Sequence, residues 1–193
     1  MIFSAVILAG GQSRRMGRDK AWLSVNGQPL LLRQIDLVRQ LTPLEIFISG
    51  RADTDYSLLR CPVLHDRFAG AGPLAGIERA LDAASAPLVL VLAVDLPNVP
   101  APFLRRLAGS CTEGRGVIPR LNSSIEPLVA FYPKCAKSLA EDQLRNSHHA
   151  VTAFADRCVQ TGLASFHDLP TADAGVFFNW NHHSQPPMAV ITR

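Results

Sequence analysis

The sequence has no long hydrophobic run, and its cysteines form no recognisable framework. Its apolar stretches are of strand length, too short to span a membrane or to form the core of a secretory signal. We therefore expect a cytoplasmic protein with no membrane partner. The four cysteines lie far apart and include no CxxC pair, which predicts reduced, mostly buried thiols.

Lysine and aromatic residues are also scarce. Three lysines accompany sixteen arginines, the net charge is +3, and tryptophan and tyrosine occur twice each. A surface that binds nucleic acid needs a stronger basic patch with aromatic residues among the cations, so we predict no nucleic-acid partner. His148–His149 and His182–His183 are adjacent pairs without the spacing of a helical metal site, so a zinc site is not expected either.

At 193 residues the chain is long enough for one domain to bury a core without metal or disulfide support. Strand-length apolar runs alternate with helix-like stripes, which predicts an α/β fold with a mostly parallel sheet. We expect a single three-layer α/β/α domain over residues 1–181 and a C-terminal tail at residues 182–193. The predicted strands are Ile2–Leu8, Glu45–Ile48, Cys61–Leu64, Pro87–Val94, Gly116–Ile118, Leu128–Tyr132 and Val176–Phe178. The predicted helices are Leu30–Leu41, Leu74–Ala84, Pro102–Ala108, Lys137–Gln143 and Ala150–Cys158.

A glycine pair and a dense group of cations follow the first predicted strand, in the stretch VILAGGQSRRMGRDK at residues 6–20. Gly10 and Gly11 let backbone amides face an anion, because no side chain intervenes. Arg15 and Lys20 could add charge-assisted hydrogen bonds to a polyphosphate. An ordinary turn with a solvated basic face is the alternative, and the GxxxxGK[ST] and GxGxxG phosphate-binding motifs are both absent.

The whole stretch resembles the LAGGxSxRMGxDK signature of molybdenum cofactor guanylyltransferases, which belong to the nucleotidyltransferases of nucleoside-diphospho-sugar type. The resemblance extends from Ile2 to about Asn181 and implies a nucleotide-diphospho-sugar transferase-like, Rossmann-like fold. It also implies transfer of GMP from GTP to molybdopterin, with release of pyrophosphate. Three further segments occur in the expected order: GPLAGI at Gly72–Ile77, VDLP at Val94–Pro97 and EPLVAFYP at Glu126–Pro133.

The resemblance assigns roles to individual residues. Asp95 follows the most apolar predicted strand, and a carboxylate at that edge must be paired, hydrated or bound to a cation. An N-cap role would fit the position equally well, and the resemblance favours a Mg²⁺ site. Arg15, Lys20 and Asp95 are the implied catalytic residues. The implied nucleotide-binding residues are Leu8, Ala9, Gly10, Gly11, Lys20, Ser49, Asp66 and Asp95.

The chain departs from the pattern of this family in two places. Ser49 stands where an asparagine often contacts the nucleotide, and Asn179 and Asn181 lack the threonine, proline and glutamate that usually follow them. Alternatives are therefore CTP as the nucleotide, a sugar-phosphate-like acceptor, or a catalytically impaired nucleotide-binding relative. Gly11, in place of an alanine, favours the larger purine. The implied partners are GTP, molybdopterin and other proteins of cofactor biosynthesis or molybdoenzyme maturation.

Overall fold

The computed structural model describes residues 1–10, 20–25 and 27–177. The strands are β1 (Phe3–Leu8), β2 (Ser24–Val25), β3 (Gln28–Pro29), β4 (Ile46–Ser49), β5 (Val63–Leu64), β6 (Leu88–Ala93), β7 (Gly116–Leu121), β8 (Ser124–Ile125), β9 (Val129–Pro133) and β10 (Ala164–Leu169). The α-helices are α1 (Leu30–Arg39), α2 (Pro73–Ala83), α3 (Ala101–Gly109), α4 (Lys137–Arg145) and α5 (Val151–Gln160). Short 3-10 helices occupy Lys20–Trp22, Ser57–Leu59, Lys134–Ala136 and Thr171–Phe177.

The main sheet has the strand order β10-β7-β9-β6-β1-β4-β5, and β8 pairs with β7. Strand β9 runs antiparallel to both of its neighbours, whereas the other neighbouring pairs along this order are parallel. The predicted mostly parallel sheet is confirmed. Leu8 pairs with Ser49 on one side and with Ala93 on the other, so β1, β4 and β6 end level with one another.

Two layers of helices cover the sheet. Helices α1 and α3 pack on one face, while α2, α4 and α5 pack on the other. Both faces of β6 are therefore buried, which is why its sequence is a continuous apolar run: Leu90 packs with the first layer and Val91 with the second. The predicted three-layer α/β/α arrangement is confirmed.

The C-terminal end of the sheet differs from the prediction. Val176 and Phe177 lie in a 3-10 helix instead of the predicted strand, and Phe178 lies outside the described residues. The edge of the sheet is taken by β10, which pairs with β7 over six residues, and the Phe177 ring packs edge-on against Phe103 of α3 at 5.6 Å between centroids. Strand β10 was not predicted, because ASFHDL mixes polar and apolar residues, as an edge strand tolerates.

The cysteines are less buried than predicted. Cys158 is buried, Cys61 and Cys111 are half-buried, and Cys135 is exposed, and all four are thiols. Burial raises the pKa of Cys111 and of Cys158 to about 12, so these two groups stay protonated near neutral pH. Across residues 1–10, 20–25 and 27–177, no helix has the length and apolar character needed to cross a membrane.

Candidate nucleotide-binding site

The carboxyl ends of β1, β4 and β6 lie together at one end of the sheet, called the shared edge below. The strand order reverses here, because β4 and β5 lie on one side of β1 and β6 lies on its other side. The amide of Ala9 donates to the Ser49 carbonyl at 2.9 Å, and the amide of Val94 donates to the Leu8 carbonyl at 3.2 Å. The exit of β1 is thus held between the exits of its two neighbours. A crevice at such a switch point is where ligands bind in open α/β sheets.

Helix α2 begins at this same edge and packs closely against it. Gly72, which precedes the helix, has a φ of +68°, in the left-handed region that side chains rarely adopt. A Cβ atom on Gly76 would lie 2.3 Å from the Ser49 Oγ and 3.0 Å from a methyl group of Leu8. The two glycines of GPLAGI therefore have separate purposes, one for the turn into α2 and one for its contact with β1 and β4.

Replacing Gly76 by alanine is expected to destabilise the protein by about 1–3 kcal/mol, because the added methyl group must displace Ser49 or Leu8. If Ser49 contacts the nucleotide as predicted, binding of the nucleotide should also weaken about ten-fold. Gly109→Ala, at the end of α3, is the matched control, since a Cβ atom there meets nothing within 4 Å. Urea denaturation and calorimetric titration with GTP measure both effects. Wild-type values for Gly76→Ala in both measurements would contradict this packing argument.

Asp95 lies two residues beyond β6, in a turn at the same edge. Its side chain is partly exposed. Just before it, the amide of Ala93 donates to the Leu128 carbonyl at 2.9 Å, which ties β6 to the segment that leads into β9. Because the Val94 amide is bonded to the Leu8 carbonyl, the turn that carries Asp95 starts where β1 ends.

Side chains from α1 also hold this turn. The Gln34 Nε2 donates to the Leu96 carbonyl at 2.8 Å and to the Ala93 carbonyl at 3.5 Å. The Arg33 Nε donates to the Pro97 carbonyl at 3.3 Å. Sequence reasoning missed Gln34, although a polar residue within the apolar stripe of a helix is a signal that could have found it.

The loop after β5 carries Asp66 and is anchored to α2. Asp66 is exposed, but partial loss of water around its carboxyl group raises the pKa, and the nearby His65 opposes that shift. The adjacent Arg67 pairs with the buried Glu78 at 3.3 Å and also with Asp82, both on α2. Burial likewise raises the pKa of Glu78, with Arg67 opposing. Asp66 therefore lies at the shared edge on a loop that α2 holds in place. This loop follows β5, which is the strand next to the one that ends at Ser49.

Glu126 provides a third carboxyl group at this edge, besides Asp95 and Asp66. Strand β9 is antiparallel to β6, so the residues that precede β9 lie where β6 ends, and Leu92 pairs with Val129. The Glu126 carbonyl accepts from the Val129 amide at 3.2 Å, which closes a turn before the strand. Burial raises the pKa of the Glu126 carboxyl group. The sequence pointed to this segment but not to this side chain.

Comparison with known proteins agrees with this geometry. Residues 5–160 match the model of the MobA-like NTP transferase domain. This chain belongs to the MobA-like NTP transferase family. A relative from Opitutus terrae, named "Probable molybdenum cofactor guanylyltransferase", is 37% identical over 92% of this chain and 90% of its own length. The molybdenum cofactor guanylyltransferase of Syntrophotalea carbinolica is 36% identical over 78% of this chain and 72% of its own length.

Solved structures of low sequence identity share the fold of this MobA-like NTP transferase. Molybdopterin-guanine dinucleotide biosynthesis protein A from Archaeoglobus fulgidus superposes with a TM-score of 0.72 at 22% identity, covering 92% of both chains. The 2-C-methyl-D-erythritol 4-phosphate cytidylyltransferase of Thermus thermophilus gives a TM-score of 0.68 at 17% identity, again over 92% of both chains. The predicted family and the predicted nucleotide-diphospho-sugar transferase fold are confirmed.

The structure of this MobA-like NTP transferase brings most of the described predicted site residues to one edge. The Ser49 hydroxyl lies against Gly76, and its contact with the nucleotide stays a prediction. The backbone of Lys20 begins a 3-10 helix, and its side chain lies outside the described part of the chain. The residues at the shared edge are Leu8, Ala9, Gly10, Ser49, Asp66 and Asp95. The predicted residues Gly11, Arg15, Asn179 and Asn181, and the domain boundary at residue 181, lie outside the described residues.

Proposed function

We propose that this protein transfers GMP from GTP to molybdopterin, releasing pyrophosphate and forming molybdopterin guanine dinucleotide. The observation that carries the proposal is the meeting of three features at one edge: the glycine-containing exit of β1, the start of α2 and the turn of Asp95. Relatives that are 36–37% identical are named as molybdenum cofactor guanylyltransferases, which favours GTP and molybdopterin over CTP or a sugar-phosphate-like acceptor.

The reaction is an in-line displacement at the α-phosphate of GTP, which needs positioning and neutralisation of charge more than covalent chemistry. In this proposal the amides of Gly10 and Gly11 bind the phosphates, because the Ala9 amide already donates to the Ser49 carbonyl. Arg15 and Lys20 stabilise the negative charge that accumulates on the departing pyrophosphate. The acceptor is a phosphate monoester, whose second pKa of about 6 leaves it ionised near neutral pH. No general base is required.

We further propose that Asp95 holds Mg²⁺. A partly exposed carboxyl group beside the exit of β1 suits this ion, which takes one or two carboxylates and completes its octahedral shell with phosphate oxygens and water. Within the described residues, no group of three or more His, Cys, Asp or Glu side chains encloses a metal ion, so the phosphates would supply the remaining contacts. When bound, the ion withdraws negative charge from the phosphate oxygens.

The test combines turnover with nucleotide binding. The protein, Mg²⁺ and molybdopterin are incubated with GTP, CTP or ATP in parallel, and pyrophosphate and dinucleotide product are measured; calorimetry without acceptor ranks the three nucleotides. We expect turnover and the tightest binding with GTP, and loss of turnover on chelation with EDTA. Tighter binding of CTP would overturn the choice of nucleotide, and GTP binding without turnover would favour a catalytically impaired family member.

Two expectations are untouched by that assay. Association with other proteins of cofactor biosynthesis or molybdoenzyme maturation stays a prediction, as does a cytoplasmic location.

A further inference from the structure

Gln34 is a buried polar residue on the core-facing side of α1. Its exposed fraction is 1%, and its neighbours on that side of the helix, Leu31, Ile35 and Val38, are completely buried. A buried amide must be hydrogen-bonded to offset the loss of water. Gln34 meets that need with two backbone carbonyls more than fifty residues away along the chain, those of Ala93 and Leu96.

These two carbonyls lie on either side of Asp95. The 2.8 Å hydrogen bond from Gln34 to Leu96 is shorter than two backbone hydrogen bonds of the same turn, Val94 to Leu8 at 3.2 Å and Val99 to Leu96 at 3.4 Å. Residues in a turn that follows a strand no longer form the regular backbone hydrogen bonds that join neighbouring strands. The side-chain amide of Gln34 replaces some of these hydrogen bonds in the turn after β6 that carries Asp95.

Helix α1 is also attached to the segment that follows the cationic stretch. The amide of Leu30, the first residue of α1, donates to the Leu23 carbonyl at 2.9 Å, and Leu23 directly follows the 3-10 helix Lys20–Trp22. One end of the helix therefore contacts the residues next to Lys20, and its middle contacts the turn of Asp95. A rigid helix joined in this way keeps the two segments at a constant separation.

We propose that Gln34 is a positioning residue for guanylyl transfer: from α1, its side-chain amide holds the turn that carries Asp95. The inference rests on the proposed function, in which Asp95 holds Mg²⁺ against the phosphates. Preorganised groups lose most of their effect when they are misplaced by about 1 Å, at a cost on the order of 10²-fold in rate. A loosened turn would therefore impair the reaction while Asp95 itself is unchanged.

Gln143 offers a matched comparison for a purely structural role. It is 2% exposed on α4, and its Nε2 donates to the Ala150 carbonyl at 2.9 Å. Ala150 precedes α5 and belongs to none of the segments that carry Asp95, Ala9 or Ser49. Methionine in place of either glutamine keeps a similar side-chain volume and removes the donor.

The experiment compares Gln34→Met with Gln143→Met, both checked for folding by urea denaturation. We expect Gln34→Met to lower kcat about 10- to 100-fold and to raise the Mg²⁺ concentration for half-maximal rate about ten-fold. Gln143→Met is expected to change each value less than about three-fold. If Gln34→Met does not fold, Gln34→Asn replaces it; the amide is then one methylene too short, and the same changes are expected.

Amide hydrogen exchange gives a readout that does not depend on turnover. We expect exchange over residues 94–99 to become about ten-fold faster in Gln34→Met and to stay unchanged in Gln143→Met. Equal behaviour of the two variants in rate, Mg²⁺ dependence and exchange would overturn the positioning role. Failure of the wild-type protein to form the dinucleotide would overturn the proposed function instead. In that case, unchanged hydrogen exchange over residues 94–99 in Gln34→Met would still show that Gln34 does not hold the turn.

Discussion

Asp95→Asn is expected to lower the rate of guanylyl transfer about 10²- to 10³-fold while the protein stays folded. Asparagine keeps the size of the side chain and one oxygen that can accept a hydrogen bond. It lacks the negative charge with which a carboxylate holds Mg²⁺ against phosphate oxygens. Because Asp95 is partly exposed in a turn held by backbone hydrogen bonds, we expect its charge to matter more for the reaction than for the fold.

Steady-state kinetics with GTP and molybdopterin, together with the Mg²⁺ dependence of the rate, measure this effect. Asp156→Asn is the control, because Asp156 is exposed in the middle of α5 and takes no part in the site. The urea midpoint of both variants is expected to remain close to that of the wild-type protein. Near-normal turnover of Asp95→Asn would mean that this carboxylate does not hold the metal ion.

Lys20→Ala is expected to have an effect of similar size, about 10²- to 10³-fold in kcat/KM. The negative charge that moves onto the departing pyrophosphate needs a cation nearby, and the ammonium group of Lys20 is proposed to supply it. Lys20→Arg keeps the charge but replaces a compact ammonium with a larger planar group, so partial activity is expected from that variant.

Another lysine of the chain, Lys134, provides the control for this prediction. Lys134 is exposed in the 3-10 helix after β9, and its substitution by alanine removes the same charge away from the shared edge. Lys134→Ala should keep the wild-type kcat/KM, whereas Lys20→Ala should lose both GTP affinity and turnover. A drop of less than about three-fold in Lys20→Ala would remove this residue from the catalytic set.

The order and type of most helices and strands could be predicted from the sequence, because the buried side of each element produces a periodic pattern of apolar residues. The run at residues 88–93 is apolar without interruption since helices cover both faces of β6, and every one of its residues is buried. The apolar stripe over Leu30–Leu41 predicted α1 to within two residues of its end at Arg39. The family signature likewise pointed to the loops that follow the strands, where the packing of the core does not require the glycines and charged residues.

Elements that are only weakly buried could not be predicted from apolar periodicity. Strand β10 lies at the edge of the sheet, where Arg120 of β7 pairs with Asp168 at 2.6 Å and its guanidinium group lies over the Phe166 ring at 4.8 Å. Such an edge is stabilised partly by cross-strand contacts between polar groups, so its sequence shows no apolar alternation. The prediction of a strand over residues 176–178 was wrong for a different reason. Val176 and Phe177 are apolar because they are partly buried in a 3-10 helix that packs on α3, not because they belong to a strand.

By itself, the sequence determined the fold class and the family and named the segments predicted to meet a ligand, since each depends on local pattern or on residue identity. Only the tertiary structure decided how these segments are held together. The contact of Gly76 with Ser49 and the hydrogen bond from Gln34 to Leu96 join residues 27 and 62 positions apart. Hydrophobic periodicity specifies which side of an element is buried, but the element that it packs against is chosen by the complementary shapes of the whole core.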